Sequence, residues 1–434
     1  MGDAVTVRRY RFDDGAQRHG HVLIGGSPLK LFRLTEAGSR VVDRIEAGEA
    51  VDESSLVMSL VDAAVVHPVA EPPGRFTPDD VTIVTPAFGR APYVDPGTIV
   101  VDDGSRPAIP DATVRLDHNR GPGAARNAGL RRVTTPLVAF VDADIRLPVG
   151  WLDGLLPHFD DDRLALVAPR VRSAPGPSLL DRYEREHSPL DLGPRPGRVR
   201  AGSRIGYLPA AVIVCRTDAV REVGGFDEDL RFGEDVDLVW RLDEAGHRIR
   251  YEPTSSVSHD PRPNWRTWFR QRVGYGSSAA PLSRRHHGAL APLRMSGWSV
   301  GAWVSGLFAH PVIGATIGVG SAAALIRKLD EVPPRAAFLL AWRGNLDAGG
   351  QIAEAVRRVW WPVLLLVALR SRRARSGLLL AALASRHPIR LADDVAYSVG
   401  VWRGVVRERT VAPLVPEVSS WPGRRPTWRR GDAR

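Results

Sequence analysis

Three groups of carboxylates stand where they could do chemistry. Asp102-Asp103 and Asp142-Ala143-Asp144 each close a short apolar run, and Glu234-Asp235-Val236-Asp237 follows Gly233. Two aspartates separated by one residue project to the same side of an extended chain. Hard carboxylate oxygens suit Mg2+ or Mn2+ bridging a diphosphate. Acidic residues also cap helices and shape turns, so no one of these groups defines a metal site by itself. The third group reads equally as the first turn of a helix, where acids favour the macrodipole. Val236, Val239 and Trp240 would be the buried stripe of that helix. A carboxylate at a rigid helix start can also take a proton from a hydroxyl. The single cysteine, Cys215, excludes an internal disulfide framework. Its apolar surroundings, Ala210–Cys215, suggest a small buried side chain and no nucleophile.

The elements that must position these acids are legible around them. Val81–Pro86 is an apolar run closed by proline, as in a parallel strand buried on both faces. Thr98–Val101 and Leu137–Val141 are runs of the same kind, and each delivers its aspartates at its C-terminal end. Ligands of open α/β sheets bind at that edge. Four segments are expected: a small domain over 1–72, the α/β domain over 78–285, a hydrophobic helical region over 290–412 and a basic, disordered tail over 413–434. The first segment predicts strands at Val22–Ile24 and Leu29–Leu34, and helices over Thr35–Ile45 and Asp52–Val66. Glu71-Pro72-Pro73-Gly74 is its linker.

In the third segment, Met295–Ile326 runs 32 residues without a charge, flanked by Arg284-Arg285 and Arg327-Lys328. Basic residues at both ends fit a re-entrant hairpin better than one pass through a bilayer. Trp360–Leu369 and Leu378–Ala384 are apolar but short, with the basic cluster Arg370–Arg375 between them. These predict helices lying on an anionic membrane; the alternative is a buried helical domain. The chain carries 59 basic and 49 acidic residues, a net charge of +10, and its only lysines are Lys30 and Lys328. The arginine excess matches a GC-rich genome and calls for no nucleic-acid partner, although it attracts nucleotides and phosphates. Met1–Phe12 has no apolar core, so no secretory signal is expected.

The order of the motifs carries a resemblance. The Asp-Asp-Gly-Ser strand, Asn119–Gly129, Asp142-Ala143-Asp144, Gly224–Glu228 and Gly233–Leu238 resemble, in this sequence, the inverting family 2 glycosyltransferases. The resemblance implies an α/β fold of the GT-A class, a Rossmann-like nucleotide-diphospho-sugar transferase core. It implies that Thr85, Pro86 and Ala87 flank the nucleotide base, that Asp103, with its neighbour Asp102, holds the uridine, and that Arg126 approaches base and phosphates. Asp142 and Asp144 would form the metal motif for Mg2+ or Mn2+, Asp144 as direct ligand. Asp235, beside Glu234 on the acceptor side, would take the proton of the acceptor hydroxyl. His259 would complete the metal shell or serve as a structural histidine. Trp265, Trp268, Arg270, Gln271, Arg272 and Tyr275 form an aromatic-basic patch. There Arg272 would grip the diphosphate and Trp265 stack on a sugar, or the tryptophans would simply pack a helix. One feature departs from the family: only Ala87–Gly97, with Pro92 and Pro96, join the first two strands, where a crossover helix is usual.

The first segment resembles small winged-helix modules that bind precursor peptides by strand addition. Together with the core and the hydrophobic helices, it resembles the glycosyltransferases of the mycofactocin system, which add β-linked glucose to a peptide-derived redox cofactor. The implied partners are UDP-glucose, that acceptor and the cytoplasmic face of the membrane. The alternatives are a membrane-bound glycosyltransferase of cell-wall glycan or glycolipid, and a non-catalytic binding protein on the same fold.

Overall fold

The computed structural model describes residues 7–93, 96–329 and 331–419. The chain forms two compact units, Met1–Arg262 and Pro263–Arg434.

The first unit opens with a small module: β1 (Val7–Phe12), β2 (Gln17–His19), β3 (Val22–Gly25), β4 (Lys30–Arg33), α1 (Glu36–Glu46), β5 (Ala50–Asp52), α2 (Ser55–Asp62) and β6 (Val66–Pro68). Its strands make two antiparallel sheets, β5-β1-β6 and β2-β3-β4. They share a core of Tyr10, Leu23, Val42, Ile45, Val57 and Leu60. The second helix is shorter than the expected Asp52–Val66. Ser54 caps it by accepting the Val57 N–H, and the left-handed Ala64 turns the chain into β6.

The α/β core follows: β7 (Val81–Ala87), β8 (Ile99–Asp102), β9 (Val114–Arg115), α3 (Pro122–Leu130), β10 (Leu137–Val141), β11 (Ile145–Arg146), β12 (Leu164–Ser173), α4 (Leu179–His187), β13 (Gly197–Arg198), β14 (Val212–Arg216), α5 (Thr217–Glu222), α6 (Glu234–Glu244) and β15 (Arg248–His259). One sheet runs β11-β15-β12-β14-β10-β7-β8-β9, with β13 on β15. Its β9-β8-β7-β10 half is parallel and β14 is antiparallel to its neighbours. The expected proline stop is not a stop. The strand passes through Pro86 to Ala87, pairing there with Val101 and Asp102 of β8 alone. Pairing with β10 ends at Val84, so the missing Pro86 N–H costs no ladder bond on that side. Gly129 lets α3 lie directly on Val84 and Val101.

The second unit holds α7 (Trp265–Ser277), α8 (Ala279–Arg285), β16 (Arg294–Ser296), α9 (Gly297–Phe308), α10 (Pro311–Lys328), α11 (Pro334–Ala355), α12 (Trp361–Ala368), α13 (Arg372–Leu383), α14 (Pro388–Glu408) and β17 (Glu417–Ser419). Helices α7 and α8, expected with the catalytic domain, pack here against α14, where Gly276 and Gly400 permit backbone contact. The uncharged run folds as a hairpin of α9 and α10 broken at Ala309-His310; His310 accepts the Val312 N–H, and Pro311 starts the second helix. No helix of the described residues is long and apolar enough to cross a membrane. The start of the expected disordered tail is ordered. Strand β17 pairs with β16, and Glu417 bonds Arg294 at 2.8 Å; residues 420–434 lie outside the described residues.

Candidate active site

Strands β8 and β10 place their acids at the same sheet edge, as their sequences imply. At β8 the Asp-Asp-Gly-Ser turn needs Gly104, whose φ is +74° and whose missing Cβ leaves room for the His118 backbone. Asp102 is fully buried and accepts the N–H groups of Ser105 (2.8 Å) and Ile109 (3.1 Å) and the Arg115 guanidinium (2.8 Å). These bonds organise its own loop. Asp103 accepts the N–H groups of Arg120 (2.7 Å) and Gly121 (2.9 Å), fastening the glycine-rich stretch to the sheet edge. Thr85 and Ala87 are buried and Pro86 half-buried beside them.

Arg126 departs further from its expected role. It is 3% exposed and donates to Asp142 Oδ1 and Glu234 Oε1, both at 2.7 Å, and to the Ala210 carbonyl at 3.3 Å. Its guanidinium is an internal tie between the metal motif and the start of α6, and is not extended toward base or phosphates. Burial opposes its charge, but Asp142 and Glu234 outweigh that and raise its pKa above the usual value. Burial, then the neighbouring Asp235, pushes the Glu234 carboxyl up to about 7 against the pull of Arg126. Asp142 is also pushed above the ordinary carboxylate range, by burial and by Asp144.

Asp144 behaves oppositely. Burial would raise it, but the His259 hydrogen bond and the charges of His259 and Arg262 hold it below the usual range. His259 Nε2 lies 3.3 Å from Asp144 Oδ2, and Arg262 lies 3.4 Å from the same oxygen. The register that brings them together is Ile145 opposite His259 in the β11–β15 pair. Two donors around one small cation with bonds near 2.1 Å stand roughly 3 Å apart, so this spacing fits adjacent ligands. Among the described residues, no three or more acidic, His or Cys groups converge to hold a metal by themselves.

Asp235 starts α6 after Gly233, whose φ of +82° turns the chain into the helix. Its carboxylate accepts the Ala210 N–H at 3.1 Å and the Val236 N–H at 2.8 Å, which fixes its orientation while it remains part-exposed. The structure thus brings Asp142, Asp144, His259, Arg126, Glu234 and Asp235 together. Trp265 and Arg272 belong to the second unit. There Arg272 is buried against Asp393 at 2.9 Å, so its charge is used within the helices; Trp265 packs edge-on to Trp268.

Sequence reading missed the residues that manage the short connection between β7 and β8. Arg90 bonds Asp260 at 2.6 Å and the Tyr93 hydroxyl at 2.9 Å, and Arg146 bonds Asp260 at 3.2 Å and Tyr93 at 2.8 Å. Both guanidiniums lie over the Tyr93 ring. Asp260 in turn donates its backbone N–H to the Asp144 carbonyl at 3.0 Å. The available signal was an Arg-x-x-Tyr pair in a segment with no helix.

Residues 87–223 match the model of glycosyl transferase family 2. Over 450 aligned positions the chain is 40% identical to the pre-mycofactocin glycosyltransferase of Mycobacterium tuberculosis, spanning 92% of this chain and 95% of that protein. The chain belongs to glycosyl transferase family 2. It is a glycosyltransferase. A succinoglycan biosynthesis protein of Rhizobium meliloti is 30% identical over 44% of this chain and 63% of its own. Among solved structures, a mannosyltransferase of Pyrobaculum calidifontis in complex with GDP-Man and Mn2+ is 17% identical, covers 76% of this chain and 91% of its own, and superposes with a TM-score of 0.38.

Replacing Arg126 tests its role as internal tie. Arg126→Met should cost about 3–5 kcal/mol of stability near neutral pH, because it leaves buried carboxylates unpaired. A raised carboxyl favours the folded state below its unfolded value and loses that contribution as pH climbs through about 7. Without Arg126 the carboxyls protonate more readily, so the deficit should shrink between pH 8 and pH 5. Urea unfolding across that range measures it; a pH-independent deficit would contradict the pairing.

Proposed function

We propose that this glycosyltransferase moves glucose from UDP-glucose, with inversion to a β-linkage, onto a hydroxyl of a peptide-derived redox-cofactor precursor, as in mycofactocin biosynthesis. The observation that carries this reading is the 40% identity to the pre-mycofactocin glycosyltransferase along nearly the whole of both chains.

The roles of the residues follow from their placement. Asp103 and the ends of β7 and β8 take the uridine, and Asp144 with His259 would hold Mg2+ or Mn2+. The cation, when bound, offsets charge gathering on the departing diphosphate. Asp235 accepts the proton of the acceptor hydroxyl, whose oxygen forms the new bond to the anomeric carbon. On the opposite face the bond to the diphosphate oxygen breaks, and the electron pair leaves with UDP. Two backbone N–H groups hold the Asp235 carboxylate in place, so no reorientation is needed before the proton moves. Arg126 keeps the base helix and the metal motif in register. Among the described residues strand β4 pairs with β3 alone, and that edge suits strand addition by a peptide-derived acceptor.

The helical unit adds a localisation to the reading: the cytoplasmic face of an anionic membrane. Leu307, Phe308, Val312 and Ile313 at the α9–α10 tip, Leu365, Leu366 and Leu369 at α12, and Leu379, Leu380 and Leu383 on α13 are all exposed. Arg373 bonds the Phe308 carbonyl, which puts the exposed basic cluster of Arg370, Arg372, Arg373 and Arg375 beside that tip. Apolar side chains rimmed by cations favour an anionic interface.

Two substitutions test the chemistry. Asp144→Ala should abolish UDP-glucose turnover in Mn2+ and weaken metal-dependent UDP binding. Asp235→Asn should lower kcat by about a hundredfold or more with UDP affinity unchanged. Near-normal turnover by the first variant, or affinity falling in step with turnover in the second, would overturn these roles. Sedimentation with vesicles tests the localisation. The chain should pellet with phosphatidylglycerol vesicles more than with phosphatidylcholine ones, and Leu366→Asp with Leu369→Asp should reduce this severalfold. Equal recovery in the supernatant with both lipids would refute it.

A further inference from the structure

A cavity in the first unit lies beside Asp142-Ala143-Asp144 and plays no part in the chemistry above. It measures about 560 Å3 and is lined by Arg146, Arg172, Arg185, Ser173, Ser256 and Ser258, among others, with no carboxylate in its wall. Register builds its floor. Arg146 of β11 and Arg172 of β12 both sit opposite Ser258 of β15, so the two arginines flank one serine across three adjacent strands. Arg185 comes from the last turn of α4. Arg146 shares Asp260 with Arg90. Arg172 and Arg185 have no hydrogen-bonding or ion-pair partner among the described residues. Ser173 is 8% exposed, and its hydroxyl finds no hydrogen-bond partner. Arg172 and Arg185 thus bring two exposed, unpaired positive charges to the cavity, and the buried unpaired hydroxyl of Ser173 beside them costs stability. An anion entering the cavity would pair with these guanidiniums and accept from the Ser173 hydroxyl, and guanidinium forks match carboxylate and phosphate oxygens.

We propose that this cavity binds an anionic group, a carboxylate or a phosphate, carried by the acceptor substrate. The assignment to the acceptor rests on the glycosyl-transfer reading. The cavity is formed by β11, β15 and β12, whereas Asp103 and the nucleoside edge belong to β7 and β8, with β14 and β10 between them in the sheet. Arg146 is two residues beyond Asp144, so an acceptor anchored here keeps its hydroxyl near the metal motif while its anionic group stays off the donor. The group selects which acceptor is held and takes no part in bond breaking.

The test uses the full chain with UDP and Mg2+ saturating the donor site. Inorganic phosphate and acetate are titrated separately, at ionic strength matched with NaCl, and binding is read from the shift in thermal unfolding and by calorimetry. One of the two anions should bind the wild type above the chloride control. Arg172→Ala with Arg185→Ala should weaken that binding at least tenfold while leaving UDP affinity unchanged. Arg185→Ala alone, at an exposed helix end, should show part of the loss should the double variant fold poorly. Tighter binding of phosphate assigns a phosphorylated acceptor, and tighter binding of acetate a carboxylate. Wild-type protein that binds neither anion, or variants that bind as the wild type does, would overturn the proposal. Failure to bind UDP would instead count against the glycosyl-transfer reading and leaves the anion titration readable.

Discussion

One buried guanidinium holds the site together. Arg126 carries the charge of Asp142, which ends β10, and of Glu234, which starts α6. A buried charge deprived of its partner costs several kcal/mol, so neither acid could stay ionised in place without that cost. The partners lie 16 and 108 positions away in the chain, and the bond therefore couples the metal motif to the base helix directly. The next residue extends the same anchoring. Asn127 donates to the Phe226 carbonyl at 2.8 Å and accepts the Phe226 N–H at 2.9 Å, which fixes the Gly-Gly-Phe-Asp-Glu segment leading toward α6. Helix α3 can serve both bonds because Gly129 lets it press onto the sheet.

The same reliance on ion pairs explains how the core tolerates its short connection. Where a crossover helix would cover the end of β7, Arg90 and Tyr93 reach to Asp260, which also takes Arg146. Asp260 is held below its ordinary range by those two arginines despite its burial. The network joins the connection to the residue after His259, so that the short segment braces the Asp144–His259 pair where a helix is lacking.

What was legible in the chain was local. The apolar runs of β8 and β10 and the acids that close them were readable because each has a periodicity or a turn of its own. Strand β1 was missed, since its buried Tyr10 sits among arginines and only pairing with β5 and β6 makes it the centre of a sheet. The internal bonds of Asp102 and Arg126 were not legible for a related reason. Residue type says that each is charged, and only the fold says whether that charge meets a ligand or a neighbouring loop. The packing of helix α7 was not legible, because its partner, α14, lies more than a hundred residues later and announces itself only by Gly276 and Gly400.

The account turns on whether Arg126 organises the site from within or serves the nucleotide. A crystal structure of the full chain with UDP and Mn2+ decides this directly. The account requires Arg126 to remain bonded to both Asp142 and Glu234, with Mn2+ on Asp144 and His259 and the Asp235 carboxylate open toward the position of the sugar. An Arg126 guanidinium swung onto the diphosphate, with its bond to Glu234 broken, would contradict it.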